Sequence, residues 1–215
     1  MGTTCKVCYT ALFGNYEELK TPSVITPGWQ YICYTDQLVT SDVWEVVHIP
    51  VPEFTDNQRF ARYIKIMGFV DWPVSIWVDA SFCIDTDLNE WWNQYSKAPF
   101  STAKHPLRGD FYAECMDCIV SGRGNRIEVD KQMNEYLAAG VPRNNGVIQS
   151  GILLRTNEQS VINLCERWWA EMQGRSARDQ IAFCRVSVGS EILHTYFWDY
   201  RQGRDFIYSH HFNRR

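Results

Sequence analysis

Ser75-Ile76-Trp77-Val78-Asp79-Ala80-Ser81 reads as a short apolar strand that ends abruptly in a carboxylate. Val74–Val78 is rich in β-branched and aromatic residues and sits comfortably inside a sheet. Asp79 is therefore presented at the carboxyl rim of that sheet, the place where open α/β sheets bind ligands. Two readings follow for it. It caps the next turn, or it supplies oxygen to a hard divalent cation that holds a diphosphate.

Outward from this segment the chain alternates between strand and helix periods. Val7–Phe13 is a first strand closed by Gly14-Asn15, Trp29–Thr35 a second ending in Asp36, and Val43–Ile49 a third ending before Pro50-Val51-Pro52. Over 57–67 the period changes: Phe60, Ile64 and Met67 share one helical face, and Arg59, Arg62 and Lys65 the other. After the strand at Val74–Val78, helical patterns cover 87–97, 109–121 and 126–139, the last stopped by Gly140 and Pro142. A strand at Val147–Leu154, a helix at 158–173, a helix opened by Ser176-Ala177-Arg178-Asp179 and a last strand at Ile192–Phe197 complete the order. The tail, 198–215, is polar, aromatic and basic. This alternation predicts one α/β domain over 1–215, with a mostly parallel central sheet flanked by helices.

Composition bounds the function. With 21% charged and 45% hydrophobic residues, the 215-residue chain is ordinary for a globular domain. Its net charge of −4 argues against a protein devoted to clamping a phosphate backbone. No apolar run reaches the length of a membrane span, and Met1-Gly2-Thr3-Thr4-Cys5 lacks the basic start and apolar core of a signal peptide, so a cytoplasmic location (bacterial or viral-host) is expected. Cys5/Cys8 and Cys115/Cys118 have zinc-like spacing, but the first pair points to opposite faces of a strand and the second sits in an apolar stripe. All eight cysteines read as buried free thiols. Of the nine Trp, most belong to the core; in Trp168-Trp169 only one can face inward.

Several constellations carry two readings. Arg59, Arg62 and Lys65 either pair with phosphates or form the solvated side of an amphipathic helix. Ser176-x-x-Asp179 is a capping-box variant, or else Asp179-Gln180 sits at the mouth of a site and orients a sugar hydroxyl. His210-His211 is a surface pair unless the tail folds back over Asp79. His105 is a loop histidine or a site residue, and Glu114, with Arg108 upstream, shares that ambiguity. No glycine-rich dinucleotide loop, P-loop or Gly-x-Ser-x-Gly elbow is present, which disfavours dehydrogenases, P-loop enzymes and serine hydrolases of that type.

Six segments occur in a fixed order over roughly 7–190: Tyr9-Thr10-Ala11-Leu12-Phe13-Gly14-Asn15-Tyr16; Tyr34-Thr35-Asp36; Arg59 to Lys65; Ser75 to Asp79; His105-Pro106-Leu107-Arg108 with Glu114; and Trp168-Trp169 followed by Ser176-Ala177-Arg178-Asp179-Gln180 and Phe183. In this the chain resembles the glycosyltransferase-like family of bacterial capsule and polysaccharide loci and plant Golgi proteins. The resemblance implies a GT-A nucleotide-binding fold and transfer of a sugar from a nucleotide-diphosphate sugar. It implies that Tyr9, Thr10, Ala11 and Asp36 cradle base and ribose, that Arg59, Arg62 and Lys65 meet the diphosphate, and that Gln180 contacts the donor. Asp179 and Glu114 would be the catalytic carboxylates, Asp179 touching the donor sugar or acting as base if the reaction inverts. Asp79 and His211 would hold Mn²⁺ or Mg²⁺. The usual Asp-x-Asp is here Asp79-Ala80-Ser81, with Asp85 and Asp87 as nearby carboxylates. The acceptor is left open among a glycan, a lipid-linked sugar, a small molecule and a modified nucleobase, Arg201, Arg204, Arg214 and Arg215 being the contacts for the last. The rivals are a non-catalytic nucleotide- or sugar-binding module with the same fold and a zinc-stabilised interaction protein.

Overall fold

A computed structural model describes residues 5–199, 201 and 205–208. A seven-stranded sheet forms from β1 (Lys6–Leu12), β2 (Trp29–Thr35), β3 (Glu45–His48), β4 (Val74–Val78), β6 (Phe100–Lys104), β7 (Ile148–Thr156) and β8 (Leu193–Tyr196), in the order β3-β2-β1-β4-β7-β6-β8. Only β7 runs against its neighbours; the other four pairings are parallel. The expected mostly parallel sheet is thus present, and β2 and β4 occupy the residues read from the sequence.

Six helices cover the sheet: α1 (Asn57–Met67), α2 (Leu88–Tyr95), α3 (Phe111–Ser121), α4 (Arg126–Ala138), α5 (Gln159–Met172) and α6 (Asp179–Val186). Alternation along β1 explains the layering. Val7, Tyr9 and Ala11 join the core beneath α1 and α5, while Cys8 and Leu12 join a second core on the opposite face. A third cluster, centred on Phe111, Cys115, Val129 and Tyr136, binds α3 and α4 to α6. Trp168 is in the first core and Trp169 is half-buried against it.

Three strands escape a reading by period. β6 is an interior strand, yet its sequence, Phe100-Ser101-Thr102-Ala103-Lys104, carries three small or hydroxylated residues, of which Ser101 bonds locally to Ala98 O. Thr102 Oγ1 donates to Ile152 O at 2.8 Å and so fills a register shift between β6 and β7. The other two, β5 (Phe82–Ile84) and β9 (Phe206–Tyr208), form a small antiparallel sheet. Phe82 pairs with Tyr208, so the chain returns near its end to the residues just after Asp79.

Two further expectations are corrected. The cysteines are all free, but Cys5 is exposed and Cys83 half-buried. The face of α1 carrying Lys65 is not solvated: Lys65 is fully buried.

Phe100 is fully buried and packs against Trp168 and Phe183. Phe100→Ala should therefore lower unfolding stability by about 3–5 kcal/mol. Urea denaturation measures it; a loss below about 1 kcal/mol would place β6 outside the core.

Candidate functional site

β1 lies between β2 and β4, so the chain leaves it toward one side of the sheet and later returns on the other. The crevice at the carboxyl ends of two such strands is the expected ligand site of an open α/β sheet. A cavity of about 830 Å³ opens there, lined by Ala11–Gly14 from the end of β1 and by Trp77 and Asp79–Phe82 from the end of β4.

Local structure aims each wall. Gly14 has φ +70°, a conformation that suits glycine, and a Cβ there would lie 2.0 Å from Asn57 Nδ2. The β1 loop therefore lies directly against the first turn of α1, and Asn57, Gln58, Ala61 and Arg62 of that helix line the cavity. The Asp79 backbone N–H donates to Gly151 O at 2.8 Å, which extends the strand ladder by one residue and fixes the carboxylate at the rim. Gly151 itself is held bare: a Cβ would come within 2.7 Å of Phe82 and of the Gln149 side chain.

A charge cluster forms the cavity floor, with Lys65 beneath it. The Lys65 ammonium has three acceptors, Asp179 Oδ2 at 2.7 Å, Ser150 Oγ at 3.0 Å and Asp79 Oδ1 at 3.2 Å. Ser150 Oγ donates a hydrogen bond to Asp179 Oδ2 at 2.8 Å, and Arg62 Nε stands 3.6 Å from Asp179 Oδ1. Burial alone would raise the Asp179 pKa, but the charges of Arg62, Lys65 and Arg178 hold it far below the usual carboxylate range. Asp79 also receives the Trp77 indole N–H at 2.7 Å on Oδ1. Its described contacts all fall on that one oxygen.

A second cluster stands beside the first. Glu114, fully buried, pairs with Arg108 and, at 3.2 Å, with Arg178. Burial pushes the Glu114 pKa up, and the two guanidinium groups more than reverse it. Arg178 also donates to Gln180 Oε1 at 3.1 Å, and Gln180 Nε2 donates to Ile148 O at 2.7 Å. The block 178–180 therefore joins both clusters, Asp179 facing α1 and Arg178 facing Glu114, with Gln180 bridging Arg178 to β7. Arg62 and Arg178 line the cavity, although the Nε of each is buried and that of Arg62 is turned toward Asp179. Guanidinium groups beside an open cavity suit an anionic ligand.

A model of the TOD1/MUCI70 glycosyltransferase-like domain matches residues 31–210. The chain belongs to that family. Comparison with curated proteins finds no match. Among solved structures, the apo form of WbbM, described as a bifunctional glycosyltransferase, matches with a TM-score of 0.54 at 10% identity, over 91% of this chain and 39% of that one. The fold is therefore shared with a glycosyltransferase, while this chain spans well under half of the WbbM length.

Within the family frame, the expected site residues separate. Asp79, Arg62, Asp179, Gln180 and Ala11 line the cavity, and Lys65 lies directly beneath it. Tyr9 is turned away: it is fully buried, and its hydroxyl donates to Lys65 O at 2.9 Å. Thr10 is buried as well, and Asp36 accepts from Gly14 N at 3.0 Å, holding the β1 loop rather than lining the cavity. Arg59 points to the carbonyls of Met172 and Arg175, tying α1 to the end of α5. Glu114 sits behind Arg178. Asp87 caps α2, accepting from Asn89 N at 2.8 Å, and neither it nor Asp85 reaches the cavity. Ser176 donates to Gln132 and does not cap α6, whose first helical residue is Asp179. His210, His211, Arg204, Arg214 and Arg215 lie outside the described residues; Arg201 pairs with Asp199.

The sequence reading overlooked Ser150, Gly151 and Tyr208. A Ser-Gly pair inside a strand pattern is the available signal for the first two, since it marks close approach of backbone or ligand. Among the described residues no group of three His, Cys, Asp or Glu side chains is placed to hold a metal ion. Asp79 Oδ2 still fits a cation bound mainly through phosphate oxygens and water, the habit of Mg²⁺.

Lys65→Met takes from buried Asp179 its shortest ion pair, leaving only Arg62 and Arg178, and should cost about 3–5 kcal/mol in denaturant unfolding. The pair Lys65→Met and Asp179→Leu should cost clearly less than the sum of the single changes in a double-mutant cycle; additivity would show that the two groups do not interact.

The acid limb follows from the shifts. His105 is pushed down from 6.5 to about 4 by burial and by Arg108. The unfolded chain takes up that proton first, so this contribution is complete above about pH 6.5 and fades between 6.5 and 4. Asp179 and Glu114 are depressed acids, so theirs persists down to the unfolded carboxylate range, near pH 4, and is lost below it. Denaturation midpoints across pH should fall in these two stages, with His105→Gln flattening only the upper one.

Proposed function

We propose that this domain transfers a sugar from a nucleoside-diphosphate sugar to a hydroxyl acceptor. The supporting observation is the cavity at the β1/β4 switch point, where Asp79 leaves one oxygen uncommitted and Arg62 and Arg178 line the wall. In this reading the end of β1, Ala11 to Gly14, and the first turn of α1 form the nucleotide wall. Arg62 and Arg178 face the diphosphate, and Gln180 borders the donor sugar. The acceptor hydroxyl oxygen bonds to the anomeric carbon as the bond from that carbon to the diphosphate oxygen breaks. The electron pair leaves with the diphosphate, which also takes the hydroxyl proton.

Asp79 Oδ2 is the oxygen proposed for Mn²⁺ or Mg²⁺, which when bound would neutralise charge on the diphosphate. Tyr208 lines the same cavity. His211, three residues further along the sequence and outside the described residues, is the second ligand proposed for that ion. Asp179 is a poor proton acceptor in its cationic surroundings and is assigned to holding Lys65 and Arg62; Glu114 is assigned to orienting Arg178. Among the described residues no helix is long and apolar enough to cross a membrane. A cytoplasmic setting is proposed on the strength of the eight free cysteines.

A thermal-shift panel of nucleoside diphosphates and nucleotide sugars, each with and without Mn²⁺, tests the reading. One nucleotide class should stabilise the fold, by about 2.7 kcal/mol at a hundredfold excess over its dissociation constant. Asp79→Asn should remove the metal-dependent part of that gain and leave the metal-independent part. No stabilisation by any nucleotide in a folded sample would favour a binding module for other ligands over a transferase.

A further inference from the structure

His105 lines a second cavity as well, of about 550 Å³. Its position follows from the sheet. β7 is antiparallel to both β4 and β6, so β4 and β6 run the same way and their carboxyl ends share one rim. Asp79 stands just past the end of β4 and His105 just past the end of β6. The two cavities therefore neighbour each other along the rim, with the His105 side chain common to both walls.

The wall itself is fixed. His105 Nδ1 accepts from the backbone N–H groups of Leu107 and Arg108 at 3.2 and 3.1 Å, which folds the 105–108 loop around the ring. The lining is mixed. Pro106, Leu107 and Leu193 supply accessible apolar surface, with Phe183 and Val147 buried behind them, and Ser187 and Thr195 bring hydroxyls. Asn145 spends its amide N–H on Cys184 O at 2.7 Å, which fixes the side chain in place. Exposed Lys104 brings a cation, and among the described residues no Asp or Glu lines the space. Arg108, the other cation, is committed to Glu114 and Asp117.

We propose that this second cavity is the acceptor subsite and that it takes a saccharide. The inference rests on the transferase reading above and narrows it. A sugar ring presents C–H faces to apolar side chains and hydroxyl edges to amides and hydroxyls, and this lining offers both. A ring seated there directs a hydroxyl past His105 toward the donor cavity. A nucleic-acid acceptor fits less well, because among the described lining residues one uncommitted lysine gives a phosphate backbone little to hold.

Saturation-transfer NMR with a panel of p-nitrophenyl glycosides at millimolar concentration, hexoses and hexuronic acids included, tests the assignment on the full chain. At least one glycoside should receive saturation. Thr195→Val, which removes only a hydroxyl, should weaken it several-fold, and Ser187→Trp, which fills the space, by about tenfold or more. Both variants should keep the wild-type near-ultraviolet circular dichroism and the wild-type response to nucleoside diphosphates. Absence of saturation from every glycoside, equal saturation in both variants, or binding confined to oligonucleotides would overturn the proposal. Glycoside binding without any nucleotide response would instead overturn the transferase reading and leave a saccharide site standing.

Discussion

Everything at the rim of this sheet is held by one buried ammonium. Lys65 enters from α1, and its three protons meet Asp179, Ser150 and Asp79, which come from α6, β7 and the end of β4. Four elements distant in sequence are thereby fixed to a single atom. Burying the charges carries a large desolvation penalty, offset only when each partner is fully satisfied. Here the lysine donors and the Asp179 oxygen Oδ2 are satisfied by one another. The consequence is rigidity rather than stability for its own sake: Asp79 cannot swing away from the rim without stripping the lysine of a partner.

A second layer keeps that ammonium in place. Arg155 of β7 is fully buried and donates to the carbonyls of Ile66, at 2.9 Å, and Lys65, at 2.8 Å, while the Tyr9 hydroxyl also donates to Lys65 O. Among the described residues Arg155 has no carboxylate partner; its charge is met by carbonyls at the last turn of α1, where the helix dipole is negative, and by the faces of Phe69, Tyr9 and Phe100. The helix end is thus pinned to the central strands from below. Tyr9 belongs to this foundation, which explains why a residue so near the ligand crevice is turned from it.

How far the sequence was legible follows from what each residue interacts with. Strands such as β2 and β4 are buried on both faces and bounded by turn residues, so local composition alone identifies them. α1 announces itself by its period, with an Asp56 cap that accepts from Arg59 N at 2.8 Å. β6 was illegible because its interior position depends on partners about fifty residues away. The cation face of α1 misled for a related reason: helical period distinguishes two faces without saying which is dry, and both are covered here. The site was legible as a set of segments, Asp79, Arg62, Lys65 and Asp179, but not as a division of labour. That Arg59 would tie helices together, and that Asp36 would brace a glycine loop, depends on packing that sequence spacing does not contain.

The reduced acidic motif fits this arrangement. In Asp79-Ala80-Ser81 the carboxylate shares Oδ1 with Lys65 and Trp77, and Lys20 donates to Ala80 O at 3.1 Å while pairing with Glu17. The turn after β4 is therefore braced from outside by a lysine on its backbone and from inside by a lysine on its side chain. A second carboxylate is not needed to orient the first. Fixed cations near the crevice, Arg62 and Arg178 at its wall and Lys65 below, also provide positive potential where a diphosphate would leave, and they require no reorganisation when charge develops. On the proposed reading, a single oxygen from Asp79 can suffice for a metal because the protein's own guanidinium groups share the electrostatic load.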